Sequence, residues 1–459
     1  VDINSGFRQG KHKGENRPLE EGTPRAPVRW VRLLPIGSNT LRLPKLTVKD
    51  NSKIEYPPYD IVRLGPYEKG KIYRIKILVP NDVSVFGDPI NRLLNDPPNG
   101  YPFSRNPNLR FNDWIGHPLS LEPLTIKDLS GAIDYINEKD ILYVIIHPQE
   151  MRPDEYWGIK SQAFRTGSRT QFINISHVVN LNPFTIFSLW VQMLAKCNGT
   201  PWKVDLPYYD ESLGINSLII GISFSKDSDG KYNFGIVHYL DLLNLTQIIE
   251  ALPLRKKDPE NLVLDKDEIS KIIENGIKWH EKNSAPYNTE GLDIYIYKTT
   301  QLYRPEEEAL LEFIPKNKTV KNITHVHVKQ SGPVARIYNL ENQYYYNDIG
   351  QYLTISSFNS SDGTFSYRGK LIFGLSGMDK NGKVPLGTPV PKSLNIHSTR
   401  SDALKLVADQ LMIMKTIDWG TTNIRSSKIP ILKYSRRVAE ASSYIDLKGI
   451  QKLDIRDLI

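Results

Sequence analysis

The spacing of apolar residues changes along the chain, and each change marks an element. Residues 72–80 (Ile-Tyr-Arg-Ile-Lys-Ile-Leu-Val-Pro) alternate and predict a strand. Residues 141–146 (Ile-Leu-Tyr-Val-Ile-Ile) form a near-continuous apolar run bounded by turn residues. That is the pattern of a strand buried on both faces of a parallel sheet. Residues 128–138 and 153–164 have helical spacing, 171–175 read as another strand, and the Pro/Asn-rich 91–112 read as loop. The best-marked helix comes next. Asn182 is a natural N-cap, Pro183 suits the first helical position, and Gly199 lies beyond the end. Its interior, 184–195, is apolar on most sides, so it should be buried. Strand, helix, strand, helix in this order predicts an α/β region with a parallel sheet.

A second pattern follows residue 200. Residues 218–224 and 233–240 read as two strands of a hairpin turning at Asp229-Gly230. Asp265 caps a helix with Glu268 three residues on, and Ile269, Ile272, Ile273 and Ile277 share one face. Strands are predicted at 292–297 and 324–328, a buried helix at 404–414, and another helix at 438–444. Antiparallel strands followed by alternating helices and strands suggest an RNase H-like core.

Composition narrows the class without deciding it. The 459 residues allow two or three domains, and 39% apolar with 10% aromatic residues is enough for a sizeable core. Lys and Arg number 59 against 51 Asp and Glu, a net charge of +8 that agrees with a nucleic-acid partner. Cys197 is the only cysteine, so an internal disulfide and a cysteine zinc cluster are excluded. It reads as a small buried residue at a helix end. No stretch of 18 apolar residues exists, nor an apolar leader core, which suggests a cytoplasmic protein. Residues 1–33 are polar and mixed in charge and read as an arm, with Arg25, Arg29 and Arg32 flanking Trp30.

Four residues of the first region form a constellation. Tyr156 and Lys160 lie one helical turn apart and point the same way. Gln171 stands at the start of a strand, and Lys196 in the last turn of the buried helix. Singly, each has an ordinary reading: surface tyrosine, solvated lysine, unremarked amide, dipole-favoured C-terminal lysine. Their order and spacing together resemble the 5′-end pocket in the MID domain of Argonaute and Piwi proteins, where a Tyr-Lys-Gln-Lys set holds a guide phosphate. The residue types suit that task. Two ammonium groups offset a phosphate near two negative charges, a tyrosine can stack on a base and donate to oxygen, and an amide donates without adding charge.

The resemblance continues through 195–202 (Ala-Lys-Cys-Asn-Gly-Thr-Pro-Trp), which is similar to the segment joining MID and PIWI domains. Asn198 replaces one glycine there and also tolerates left-handed backbone. Residues 219–223, 387–391, 419–422 and 429–439 are similar to PIWI segments, so the resemblance spans 140–459. It implies residues 34–200 as a Rossmann-like MID domain with its N-terminal extension, then 201–459 as an RNase H-like PIWI domain. It also implies a short, prokaryotic, archaeal-type form without N and PAZ domains.

PIWI nucleases hold two divalent metals with clustered carboxylates. At the corresponding positions this chain offers Ser223, Thr299 and Arg436. Two hydroxyls and a guanidinium do not replace anionic ligands for hard cations. The resemblance therefore implies a catalytically inactive protein. It further implies a guide, usually RNA, a complementary DNA target, and defence against invaders. Expected partners are an APAZ-like protein and a separate effector, which is membrane-associated in some systems. Mg²⁺ at the guide phosphate, with the main-chain carboxylate of Ile459 as a ligand, is also implied. A guided endonuclease with displaced ligands and a purely structural subunit remain alternatives at this level. His325 and His327 read as cross-strand packing, 306–308 (Glu-Glu-Glu) as a solvated helix start, and 255–257 (Arg-Lys-Lys) as a loop face.

Overall fold

The parallel α/β region forms where the apolar runs place it. The computed structural model describes residues 39–41, 44–54, 57–81, 94–95, 100–148, 150–179, 182–205, 217–226, 232–239, 247–252, 262–283, 291–329, 351–358, 365, 367–373, 392–420, 428–445 and 454–458. Residues 38–459 make one unit and 1–37 another. The readings at 1–33, 229–230, 255–257, 387–391 and Ile459 lie outside the described residues.

Short strands β1 (Asn39–Thr40), β2 (Leu46–Thr47) and β3 (Lys53–Ile54) and helix α1 (Pro57–Leu64) come first. The α/β region follows with β4 (Arg74–Pro80), β5 (Ser120–Ile126), α2 (Ala132–Tyr135), β6 (Leu142–His147), α3 (Pro153–Thr166), β7 (Arg169–Asn174), α4 (Ile175–Val179) and α5 (Pro183–Lys196). Its sheet runs β5-β4-β6-β7, parallel throughout. In β6 the residues Leu142 to Ile146 are all buried. Tyr143 and Ile145 pack with Ile159 and Ala163 of α3, while Leu142, Val144 and Ile146 join the core that holds Phe187, Trp190 and Leu194 of α5. Helices cover both faces, the condition that produces a continuous apolar strand. At the start of α5 the Asn182 side chain accepts from the amides of Phe184 and Thr185, as its N-cap reading requires.

Two helices differ from the pattern. The helix predicted over 128–138 shrinks to α2, because the Asp128 carboxylate accepts from Gly131 N at 2.9 Å and closes a turn instead. The helix predicted over 438–444 begins eight residues earlier, as described next.

After β8 (Lys203–Val204) come β9 (Ser217–Lys226), β10 (Tyr232–Tyr239), β11 (Gln247–Leu252), α6 (Lys266–Asn283), β12 (Leu292–Lys298), α7 (Arg304–Lys316), β13 (Val320–Val328), β14 (Gln351–Phe358), β15 (Tyr367–Phe373), β16 (Lys392–Ser398), α8 (Ala403–Thr416), α9 (Pro430–Ala441) and α10 (Ile455–Leu458). The large sheet runs β1-β14-β15-β16-β13-β12-β9-β10-β11. Within it β9, β10 and β11 pair antiparallel, and β12 and β13 add in parallel on the other side of β9. That order and sense make the core RNase H-like. Helix α6 carries the reciprocal cap expected of Asp265 and Glu268, each side chain accepting from the other's amide at 2.9 Å.

Helix α9 crosses β9 and β10 at backbone distance. A Cβ on Gly235 would lie 1.9 Å from Ser435 O and 2.4 Å from Ala439 N, so only glycine permits this approach. Pro430 opens the helix, and the polar 433–437 stretch hid its first turns from pattern reading. The acidic run at the start of α7 is not uniformly solvated. Glu306 is fully buried and pairs with buried Lys298, while also accepting from Leu264 N at 2.8 Å. Among the described residues, no helix is long and apolar enough to cross a membrane.

Candidate anion-binding site

The four residues singled out in the first region come together. Helix α3 supplies Tyr156 and Lys160, β7 supplies Gln171, and the last turn of α5 supplies Lys196. The C-terminal end of α5 lies beside the start of β7, where Arg169 donates to Lys196 O at 2.7 Å. Its ammonium donates to Thr170 O at 2.8 Å and to Gln171 Oε1 at 2.7 Å. Gln171 Nε2 in turn donates to Phe172 O at 3.1 Å. Tyr156 leans on the Phe172 ring, with centroids 4.6 Å apart. Lys160 Nζ lies 5.5 Å from the Tyr156 centroid.

Both lysines are 1% exposed. Burial pushes Lys160 down to about 7, the Arg437 guanidinium pushes the same way, and Asp457 opposes it. Lys196 is held well below its ordinary value, again first by burial and then by Lys160 and Arg437. Burial raises the Tyr156 phenol, and Arg437, which hydrogen-bonds it, opposes the rise. Among the described residues neither ammonium group is paired with a carboxylate, so the pocket can accept an anion.

Three contributors had no role in the sequence reading. Arg437 of α9 joins from the large-sheet region, and its guanidinium donates to Leu458 O. Lys160 donates to the main-chain carbonyl of Asp457, 297 residues away. Arg169 Nε donates to the Asp457 carboxylate at 2.8 Å. The final segment thus packs against the cationic pocket. Arg437 lay inside a segment already noticed for its resemblance, but no local signal marked Arg169 or Asp457. Asn198 has φ 59°, in the left-handed region that its glycine-like place in the joining segment demands. Cys197 is buried at the α5 C-cap, its thiol pushed up to about 12 by burial, as a packing residue should be.

The second candidate set is only partly assembled. Ser223 lies on β9, and Thr299 stands one step past the Lys298–Ile222 pair of the adjacent parallel strand. Ser223 is buried, and its hydroxyl donates to Leu432 O of α9 at 3.3 Å. Arg436 is more than half exposed and pairs with Glu440 at 3.1 Å. Among the described residues, no group of three or more His, Cys, Asp and Glu is arranged to hold a metal ion. His325 packs across from His397 on the neighbouring strand, with ring centroids 6.1 Å apart.

No family model and no curated protein matches the sequence. The structure does match solved ones. It superposes on Clostridium butyricum Argonaute bound to a guide DNA (5′ deoxycytidine) and a 19-mer target DNA, with a TM-score of 0.66 and 17% identity. That match covers 91% of this chain and 54% of the other. Drosophila Piwi matches with a TM-score of 0.62 and 14% identity, over 92% of this chain and 56% of the other. The fold is therefore Argonaute/Piwi-like, a MID-type parallel sheet followed by an RNase H-like PIWI sheet. The chain spans about half the length of the structures it matches.

Proposed function

We propose that this protein binds a guide strand by its 5′ phosphate and recognises a complementary target without cutting it. The convergence of Tyr156, Lys160, Gln171, Lys196 and Arg437 into one buried cationic pocket carries the reading. The ammonium groups and the guanidinium offset the phosphate charge, and the Gln171 amide and the Tyr156 hydroxyl add directed hydrogen bonds. The Tyr156 ring, backed by Phe172, offers a stacking face for the first base. The guide and target of the matched Argonaute structure support nucleic acid as the ligand class.

In this reading the protein is a short MID–PIWI form in which Ser223, Thr299 and Arg436 replace the nuclease carboxylates. The RNA guide, the DNA target, the APAZ-like partner, the separate effector and the role in cytoplasmic defence extend the same proposal. The described charged side chains at the pocket are the cations Lys160, Lys196, Arg169 and Arg437 and one carboxylate, Asp457, already taken by Arg169, so they do not by themselves fit Mg²⁺. A metal there would depend on the phosphate and on the main-chain carboxylate of Ile459.

Two measurements test the reading. Small nucleic acids should co-purify with the wild type and be lost in the Lys160→Ala, Lys196→Ala double variant. Equal loading of both would refute the pocket. Incubation of the loaded protein with a complementary target and Mg²⁺ or Mn²⁺ should leave the target intact. Guide-dependent cutting that is abolished by one carboxylate substitution would establish a nuclease instead.

A further inference from the structure

We infer that Arg169 is a positioning residue of the pocket, which holds the Asp457 carboxylate away from the cations that receive the phosphate. The inference rests on the guide-phosphate reading above. Arg169 opens β7, two residues before Gln171, so both side chains leave the strand on the same face. Its Nη1 donates to Lys196 O at 2.7 Å and to the Asn198 side-chain oxygen. Its Nε donates to Asp457 Oδ1 at 2.8 Å. One guanidinium therefore fastens the end of α5 and the final segment in a single frame.

The final segment has two kinds of acceptor, and they are used differently. Its main-chain carbonyls serve the pocket: Asp457 O accepts from Lys160, and Leu458 O from Arg437. Among the described residues, Lys196 likewise bonds neutral acceptors, Thr170 O and the Gln171 amide oxygen. A carbonyl orients a cation but leaves its charge available. The Asp457 carboxylate is kept elsewhere. One oxygen takes Arg169, and the other accepts from Asp454 N at 2.8 Å. Asn198 completes the frame, because its side-chain oxygen also accepts from Arg456 at 3.2 Å. A glycine at this left-handed position would supply no such acceptor.

Asp457 is the hazard in this arrangement. Its own carbonyl already touches Lys160, so its carboxylate lies within a side-chain rotation of the pocket. Without Arg169, a mostly buried carboxylate would lose its partner beside buried ammonium groups and would turn to them. It would then compete with the guide phosphate as an internal anion. Arg169 thus acts through Asp457 and not by touching the ligand.

The test compares the full chain binding two oligonucleotides of one sequence, 5′-phosphorylated and 5′-hydroxyl, by fluorescence anisotropy. The wild type should prefer the phosphorylated strand. Arg169→Gln should lower that preference by about tenfold or more, ~1.4 kcal/mol per decade. Asp457→Asn alone should keep or raise it. The double variant should return to within about threefold of wild type, a coupling that double-variant cycles detect. Rescue of this kind is not expected from mere loss of packing. If Arg169→Gln fails to fold in a thermal melt, Arg169→Lys with and without Asp457→Asn makes the same comparison. A double variant as weak as the single one, full preference in Arg169→Gln, or a tenfold loss in Asp457→Asn overturns the inference. A wild type indifferent to the phosphate overturns the guide-phosphate reading itself, and is recognised before any variant is made.

Discussion

Binding of a phosphate-ended guide should take up protons, so its affinity should fall above neutral pH. The cause is the burial that holds Lys160 down to about 7 in the free pocket. A phosphate dianion beside the ammonium favours its charged form and returns the pKa toward that of a free lysine, ~10.4. The free pocket then has the lower pKa and the occupied pocket the higher one. Protons therefore favour the complex, and binding weakens as pH rises through the free-state value. With that value at about 7, charged Lys160 falls from about one half at pH 7 to about one hundredth at pH 9. The affinity should drop ~50-fold over that range, or ~2.3 kcal/mol. Lys196, depressed by burial and by Lys160, acts in the same direction and steepens the fall. Ionisation of the phosphate itself, with a second pKa of ~6, is nearly complete at pH 7 and adds little above it. The assay is anisotropy at constant ionic strength, reported as the ratio of 5′-phosphorylated to 5′-hydroxyl affinity at each pH, which cancels effects on the rest of the strand. Lys160→Arg keeps its charge throughout and should make the profile shallower, leaving the Lys196 contribution. A wild-type ratio that stays constant from pH 7 to 9 would refute the reasoning.

Three further outcomes follow from the packing. Lys298→Met strands the buried Glu306 carboxylate and should cost ~3–5 kcal/mol in urea unfolding, with Glu306→Gln milder; a loss under about 1 kcal/mol for the first variant would contradict the buried pair. Gly235→Ala forces a Cβ into the α9 backbone and should cost ~1–3 kcal/mol while also weakening phosphate preference, because α9 carries Arg437; an unchanged melting temperature would show that the helix is not seated on the sheet. Burial, with help from nearby Lys298 and the other two rings, holds His325 well below its ordinary value, and burial first of all holds His327 and His397 near 4. Their stabilising contribution is complete above the unfolded histidine pKa of ~6.5 and is lost as pH falls toward 4. The melting temperature should drop across that window, and His325→Leu should make the drop smaller.

The elements with strong local chemistry were legible in the chain itself. Asn182 and Pro183 announce the start of α5, and Asp265 with Glu268 announces α6, because a cap is made by residues within one turn of each other. The uninterrupted run in β6 implied a sheet covered on both faces, because any strand facing water must alternate. The pocket was legible as four residue types at telling intervals, all on elements whose periodicity could be read. Where a side chain competes with the backbone the pattern misled: Asp128 closes a turn and shortens α2. Where a charged residue finds its partners outside its own helix it misled again. Glu306 reads as solvated beside two other glutamates, yet Lys298 and the Leu264 amide make its burial tolerable.

What the sequence determined alone is therefore the local vocabulary: the caps, the buried strands, and the presence of Tyr156, Lys160, Gln171 and Lys196. The tertiary structure decided which charges meet. It brought Arg437 from α9 and Asp457 from the final segment to the same pocket, and it set Arg169 between that carboxylate and the lysines. Periodicity reports what a residue does within a turn or a pleat, whereas a contact across 297 residues exists only once the sheets and helices have packed. The depressed pKa of Lys160 has the same origin, since removal of water is a property of the assembled core and not of the residue.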